Sequence, residues 1–309
     1  MSPNPAAIGI AFPGQGSDLL DARVVALLGA DSVTNLVEHA GRFMGIDLRR
    51  RIEQGDPMVA RTEVAQPAIV AISLGMFRHA SELEGPATFA FGHSLGELSA
   101  AAAAGCLSAE LAVELATERG VLMAEAARHI EGAMVAVTAD SLSQVQAWIA
   151  QISRAHPSGF LVIAGRNAAR QWTLSGDTRS IEGLRQLTSA LPVATDGAWH
   201  SPALLQAQQR WRERLSSIAF APPRGAFVSQ GMLLTRADAV SALLVEQFTE
   251  PFDFYKTVER VKAEGVQRWR ICGPGRLLRR LLRDNLDSDA DVELLAVPMA
   301  SSSAQGAHA

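Results

Sequence analysis

Apolar and polar positions along this 309-residue chain alternate between two rhythms. Residues 7–12 form a short apolar run that stops at Pro13-Gly14-Gln15-Gly16, which predicts a strand entering a tight turn. Residues 20–55 show helical spacing in pieces, with Gly29, Gly41 and Gly45 as breaks. Residues 66–80 predict a buried helix with Pro67 in its first turn. Residues 88–91 predict a short strand, and residues 95–104 an alanine-rich helix ending at Gly105. Ser108 is placed to cap the next helix, with Glu110 in its first turn. Residues 132–196 change character. Strands at 133–138, 160–165, 171–175 and 192–195 and helices at 142–153 and 181–191 give the order βαββαβ, the ferredoxin-like pattern. Beyond it come helices at 203–215, 239–248 and 252–264, strands at 225–229 and 268–272, and a basic helix from 276 to 283 after Gly273-Pro274-Gly275. Strands alternating with helices predict an α/β fold with a mostly parallel sheet covered on both faces. The division expected is a large α/β domain over 1–131 and 197–300, an inserted small subdomain over 132–196, and a disordered tail over 301–309.

One charge breaks the helical pattern. Projected at about 100° per residue, residues 111–128 place Leu111, Ala112, Leu115, Ala116, Leu122, Met123 and Ala126 on one face. Glu110, Glu114, Thr117, Glu118, Glu125 and Arg128 fall on the other, and Arg119 lands in the middle of the apolar face. An unpaired buried charge costs several kcal/mol or more, so Arg119 calls for an anionic partner or a polar cavity. A substrate anion and a carboxylate or carbonyls of the protein itself both meet that need, and the pattern alone leaves both open.

A strand, a sharp turn and a helix surround Gly92-His93-Ser94-Leu95-Gly96. This is the geometry of a nucleophilic serine at the apex of an elbow, with glycines where neighbouring side chains would collide. The following helix aims amide N–H groups at the site, where they favour an oxyanion. Of the seven histidines, His39, His79 and His129 lie on helical segments, His156 in a loop and His308 in the tail. His93 is too near Ser94 in sequence to serve it easily and is assigned to the pocket lining. His200, in the turn-rich Asp196-Gly197-Ala198-Trp199-His200-Ser201-Pro202, is the best base. An esterifiable serine beside a guanidinium suggests transfer of an acyl group that itself carries a carboxylate.

Composition narrows the partners. A net charge of −4 argues against a general nucleic-acid binder. No run of about 18 apolar residues is present, so no membrane span is expected. The first residues lack a basic segment followed by a long apolar core, so no signal peptide is expected. Cys106 and Cys272 make neither a disulfide framework nor a zinc site, which fits a reducing cytoplasm.

The chain resembles the malonyl-CoA:acyl carrier protein transacylases, including free-standing acyltransferases of fatty acid and polyketide synthesis. The resemblance runs nearly end to end, through Phe12-Pro13-Gly14-Gln15-Gly16-Ser17, Gln66-Pro67-Ala68, Gly92 to Glu97, Arg119-Gly120, Gly132-Ala133-Met134, Trp199-His200-Ser201 and Gly273-Pro274-Gly275. It implies an α/β-hydrolase-like large domain with the small ferredoxin-like insertion. It implies that Ser94 is acylated, that His200 is the base and then the acid, and that the Gln15 and Leu95 N–H groups form the oxyanion hole. It also implies that Arg119 pairs with the malonyl carboxylate and that the Gln247 backbone carbonyl orients His200. Gln66 matches a pocket residue, or simply holds its helix's first turn. Asn167 matches a substrate-side position, and Trp199 would narrow the acyl pocket.

The implied partners are a coenzyme A thioester and an acyl carrier protein, with no metal or redox cofactor and a monomer as the default. Some positions depart from the family. Gly165 and Ala169 replace an Asn and a Pro, Ile271 replaces a Glu, and the loop after Gly16 is shortened with Asp18 in place of Gln. These changes bear on acyl selectivity. Carrier proteins are usually acidic, so Arg276, Arg279, Arg280 and Arg283, or Arg166 and Arg170, are docking candidates, or else a solvated face. Two other classes fit the serine. An acyl-thioester hydrolase or esterase would not need Arg119 for a neutral acyl group, and a non-catalytic carrier-docking protein would not need Ser94 and His200.

Overall fold

The computed structural model describes residues 7–84 and 89–295. The chain begins with β1 (Ile8–Phe12), then α1 (Ala22–Leu27), α2 (Asp31–Met44), α3 (Leu48–Glu53), a 3-10 turn (Pro57–Ala60) and the long α4 (Thr62–Glu84). β2 (Phe89–Gly92), α5 (Gly96–Ala103) and α6 (Ala109–His129) follow. Next come β3 (Gly132–Thr138), α7 (Leu142–Ala155), β4 (Leu161–Ala168), β5 (Gln171–Asp177), α8 (Thr178–Leu187) and β6 (Leu191–Pro192). The last stretch holds a 3-10 turn (Pro202–Leu204), α9 (Leu205–Ser216), β7 (Ala226–Ser229), β8 (Met232–Leu234) and α10 (Ala237–Glu246). It ends with β9 (Phe252–Asp253), α11 (Phe254–Ala263), β10 (Arg268–Ile271), α12 (Arg276–Asn285) and β11 (Asp291–Leu294).

Two sheets organise these elements. The larger has the order β11-β10-β1-β2-β7-β8, parallel throughout except for the β7–β8 hairpin. Every residue of β1 is buried, as expected of a strand with helices on both faces. Alternate side chains go to opposite cores. Ile8, Ile10 and Phe12 pack with residues of α2, α4 and α6, whereas Ala11 packs with Phe91, Val258 and Leu278. The smaller sheet has the order β6-β3-β5-β4-β9. Its first four strands are antiparallel in the ferredoxin-like order, and Val135, Val137 and Leu174 bury against Val145, Ile152 and Leu184 of α7 and α8.

Several elements differ from the expectations of the sequence. Residues 252–253 are not helical. They form β9, which adds a parallel edge strand to β4 in the register Gly165↔Phe252, and Asp253 caps α11 by accepting from Lys256 N–H at 2.9 Å. A Cβ on Gly165 would meet the Phe252 ring at 2.3 Å, so this departure from the family's asparagine makes room for that ring. α4 starts at Thr62, one turn early, and Pro67 lies inside it rather than in its first turn. The cause is distant: Asp196 Oδ2 accepts from Thr62 N–H at 2.9 Å and from Thr62 Oγ at 2.8 Å. Gly41 lies inside α2, while Gly45 ends it in the left-handed conformation. Asp177 caps α8 through Ser180 N–H (3.1 Å), so that helix spans 178–187 rather than 181–191, and β6 begins at Leu191. β8 and β11 are additional strands. Thr88, the first position of an expected strand, and the 301–309 tail lie outside the described residues.

Candidate active site

The turn from β2 to α5 holds Ser94 in the left-handed region, at φ 51°. An ordinary side chain adopts this conformation only when its surroundings impose it. Here they do. A Cβ on Gly92 would lie 2.0 Å from the Gly96 carbonyl carbon, and a Cβ on Gly96 2.0 Å from the Phe12 carbonyl oxygen. The loop after β1 presses on the same turn: His93 N–H donates to Phe12 O at 3.0 Å, and a Cβ on Gly14 would approach His93 O at 2.5 Å. Ser94 is partly exposed at the apex, while Leu95 is buried at the start of α5.

His200 also has a left-handed backbone, at φ 54°, and is buried. Its Nε2 lies 2.7 Å from Ser94 Oγ, and its Nδ1 lies 2.5 Å from the Gln247 backbone carbonyl. A carbonyl only accepts, so Nδ1 carries the hydrogen and Nε2 is left to accept from the serine hydroxyl. The Phe252 ring packs edge-on at 5.1 Å. Burial, and then the positive charge of Arg119, hold the imidazole far below its ordinary value, at about 3, although the Gln247 carbonyl favours the charged form.

Arg119 is buried in the middle of α6 as the helical projection requires. Its guanidinium donates to Gln66 Oε1 at 2.7 Å and to Gln247 Oε1 at 3.0 Å, both neutral amide oxygens. Among the described residues it makes no ion pair, and its Nε is without a hydrogen-bond partner. Phe248 covers one side, its ring centroid 5.3 Å away. Burial lowers the guanidinium's pKa to about 10, against the opposing charge of Glu97. The protein supplies these two acceptors and no anion to a fork of five N–H donors.

The Gln15 loop is tied to this floor. Gln15 Nε2 donates to Thr62 Oγ at 2.7 Å, and Gln66 Nε2 donates to Gln15 Oε1 at 3.2 Å. Gln66 thus joins Gln15 to Arg119. On the other wall, His93 Nε2 meets Asn167 Oδ1 at 2.9 Å, and Asn167 Nδ2 donates to Thr173 Oγ at 2.9 Å. Burial depresses the His93 pKa. His93 and Asn167 therefore join the two sheets beside the serine. Trp199 is buried in the large core against Gly197 and Ala127, and no hydrogen bond or ring contact links it to Ser94, His200 or Arg119 among the described residues.

Four polar residues stand around the site that the sequence reading did not assign: Glu97, Ser229, Thr62 and Asp196. Glu97 is buried, accepts from Ser229 Oγ, and accepts from Gln247 Nε2 at 3.4 Å. Burial raises its pKa to about 7, against the hydroxyl of Ser229 and the charge of Arg119. A signal for Glu97 was present, since it is the one charge on the alanine-rich α5. Ser229 and Asp196 carry no local signal, because their partners lie 132 and 134 positions away.

A strained serine held by a neutral imidazole, with a helix starting behind it and a guanidinium sharing Gln247 with that imidazole, defines a serine enzyme of the acyl-transfer class. A family model described as the acyl transferase domain matches residues 11–298, and the chain belongs to that family. It is 30% identical over 290 residues to the malonyl CoA-acyl carrier protein transacylase of Bacillus subtilis, covering 89% of each chain. It is 31% identical over 293 residues to the polyketide biosynthesis protein ThaF of Burkholderia thailandensis, spanning 90% of this chain but 24% of that much longer one. Among solved structures, the malonyl CoA-acyl carrier protein transacylase of Coxiella burnetii superposes with a TM-score of 0.86 at 24% identity over 94% of both chains, a likeness of fold. A structure described as a type II polyketide-synthase acyl-carrier protein in complex with its malonyl-transacylase gives 0.85 at 26% identity, covering 96% of this chain and 97% of that one.

Proposed function

We propose that the protein moves a malonyl group from coenzyme A to the phosphopantetheine thiol of an acyl carrier protein, through an ester on Ser94. The observation that carries this reading is Arg119: a buried guanidinium held by two neutral amides, with donors to spare, on the same residue that orients the base. A carboxylate is its natural complement.

The two half-reactions follow from the geometry. His200 Nε2 takes the Ser94 proton as Oγ attacks the thioester carbonyl. The oxyanion that forms is received by the N–H groups of Gln15 and Leu95. Collapse breaks the C–S bond, and His200 returns the proton to the departing coenzyme A thiolate. The carrier's thiol then gives its proton to His200, attacks the Ser94 ester, and leaves as the new thioester while Oγ is reprotonated. The exchange balances with no metal or redox cofactor. No helix among the described residues is long and apolar enough to cross a membrane. Two free, buried cysteines support a reducing cytoplasm as its compartment. A hydrolase of neutral acyl thioesters is not favoured, since it would leave the guanidinium without an anionic partner.

The test is intact-mass measurement after mixing with malonyl-CoA or acetyl-CoA. The wild type gains the malonyl mass and Ser94→Ala does not. Arg119→Ala loses malonyl loading by about a hundredfold or more, the loss of a bidentate charged pair, while acetyl loading is spared. No malonyl adduct in the wild type, or equal loss of both donors in Arg119→Ala, sinks the proposal.

A further inference from the structure

Gln247 serves three groups at once. Its backbone carbonyl accepts from His200 Nδ1–H (2.5 Å), its side-chain oxygen accepts from Arg119 (3.0 Å), and its side-chain nitrogen donates to Glu97 Oε2 (3.4 Å). An amide has one accepting end and one donating end, and a guanidinium only donates. The oxygen must therefore face Arg119, and the NH2 group needs an acceptor on its far side. Glu97 is that acceptor. Its other oxygen accepts from the Ser229 hydroxyl at the end of β7. The order is serine hydroxyl, carboxylate, amide, guanidinium, all buried. Glu97 makes no ion pair among the described residues. When ionised, it faces the charge of Arg119 across one neutral amide. A direct pair would occupy the N–H donors that a substrate carboxylate needs, whereas the intervening amide keeps the opposite charge near and those donors open.

Resting on the reading of Arg119 as the clamp for the acyl carboxylate, we infer that Glu97 is a positioning residue for donor selectivity, fixing the guanidinium through Gln247 and itself fixed by Ser229. Without the carboxylate, the Gln247 NH2 group loses its charged acceptor, and the amide that carries Arg119 is held less firmly at its far end. Recognition of a carboxylated acyl group suffers most, because only that donor uses the guanidinium.

The experiment compares kcat/KM for malonyl-CoA and acetyl-CoA, with a fixed carrier protein, in the wild type, Arg119→Ala, Glu97→Gln, Ser229→Ala and the Glu97→Gln/Arg119→Ala double variant. Glu97→Gln lowers the malonyl-to-acetyl ratio about tenfold, mainly through KM for malonyl-CoA, as the weakening of one charge-assisted bond to a neutral one would. Ser229→Ala shifts the ratio the same way by less. In the Arg119→Ala background, Glu97→Gln changes the ratio no further. Equal loss of both donors in Glu97→Gln, an unchanged ratio, or an additive effect in the double variant overturns the inference. Should Glu97→Gln fail to fold, Ser229→Ala decides, and an unchanged ratio there overturns it. An unmoved ratio in Arg119→Ala defeats the parent reading of the clamp instead, so the two failures are separable.

Discussion

His200 has no carboxylate behind it. Its Nδ1–H is held by a backbone carbonyl, which fixes the tautomer but supplies no negative charge to an imidazolium. Burial and the nearby Arg119 cation push the same way, so the free enzyme keeps this ring neutral far into acid, with a pKa of about 3. The sign for stability follows. In the unfolded chain histidine binds its proton near pH 6.5, about the ordinary value. The stability tied to a neutral His200 is therefore full above that pH and lost as pH falls toward the folded value. Nitrogen-15 NMR of the His200 ring should show one Nδ1-protonated tautomer from pH 8 to about pH 5, and Arg119→Gln should raise the protonation midpoint. A wild-type midpoint near the ordinary value would contradict this. A malonyl carboxylate seated on Arg119 would cancel the same cation, so donor binding itself makes His200 a stronger base.

At the scale of elements, α4 shows what the sequence conveyed and what it withheld. The β1 run, the elbow after β2 and the apolar face of α6 are local patterns, and they placed Ser94 and Arg119 on the right elements. The contact of Gln247 with His200 was legible through the family motif alone, because a backbone carbonyl has no side-chain signature. The start of α4 was not legible, because its cap is Asp196, which the chain reaches only after passing through the small sheet. β9 was misread as helix for the same reason, its pairing being with β4 of the small sheet, far away in sequence. β8 could have been found, since Gln230-Gly231 is a two-residue turn with φ of 53° and 77° at the head of a hairpin. The argument that exposed Arg119, a charge on an apolar helix, applies equally to Glu97 on α5. The Asp196 cap also reaches the chemistry, because the Thr62 hydroxyl that it accepts from in turn accepts from Gln15. Asp196→Ala should cost about 1 kcal/mol in urea unfolding, the usual worth of an N-terminal cap. It should also slow Ser94 acylation by loosening the Gln15 loop, whereas Asp196→Asn keeps most of both. Unchanged stability and rate in Asp196→Ala would show that the cap is dispensable.

Over the whole molecule, the charge is distributed against its sum. The chain carries −4, so an acidic carrier protein meets net repulsion unless a local patch reverses it. α12 is that patch. Its apolar residues Leu278, Leu281 and Leu282 are buried, which turns Arg276, Arg279, Arg280 and Arg283 outward. Arg276 is partly neutralised by Asp21 at 3.2 Å, while the other three make no ion pair among the described residues. The alternative patch is weaker: Arg170 pairs with Asp140, and Arg166 is stacked between Trp172 and Tyr255. α12 also borders the site. Its half-exposed Leu277 lies 3.9 Å from where a Cβ on Gly16 would stand, one residue beyond Gln15. A cavity of about 550 Å³ opens beside it, lined by Asp18, Arg23, Gly275, Arg276 and Arg279. Arginines at the rim of an interface steer encounter and are screened by salt, rather than supplying chemistry. Reversing two of them, Arg279→Glu with Arg280→Glu, should therefore raise KM for the carrier about tenfold at low salt and flatten its dependence on ionic strength. Malonyl loading from coenzyme A, followed by mass, should stay at the wild-type rate. An unchanged carrier KM would place docking elsewhere, and an equal loss of loading would assign these arginines to the phosphates of coenzyme A instead.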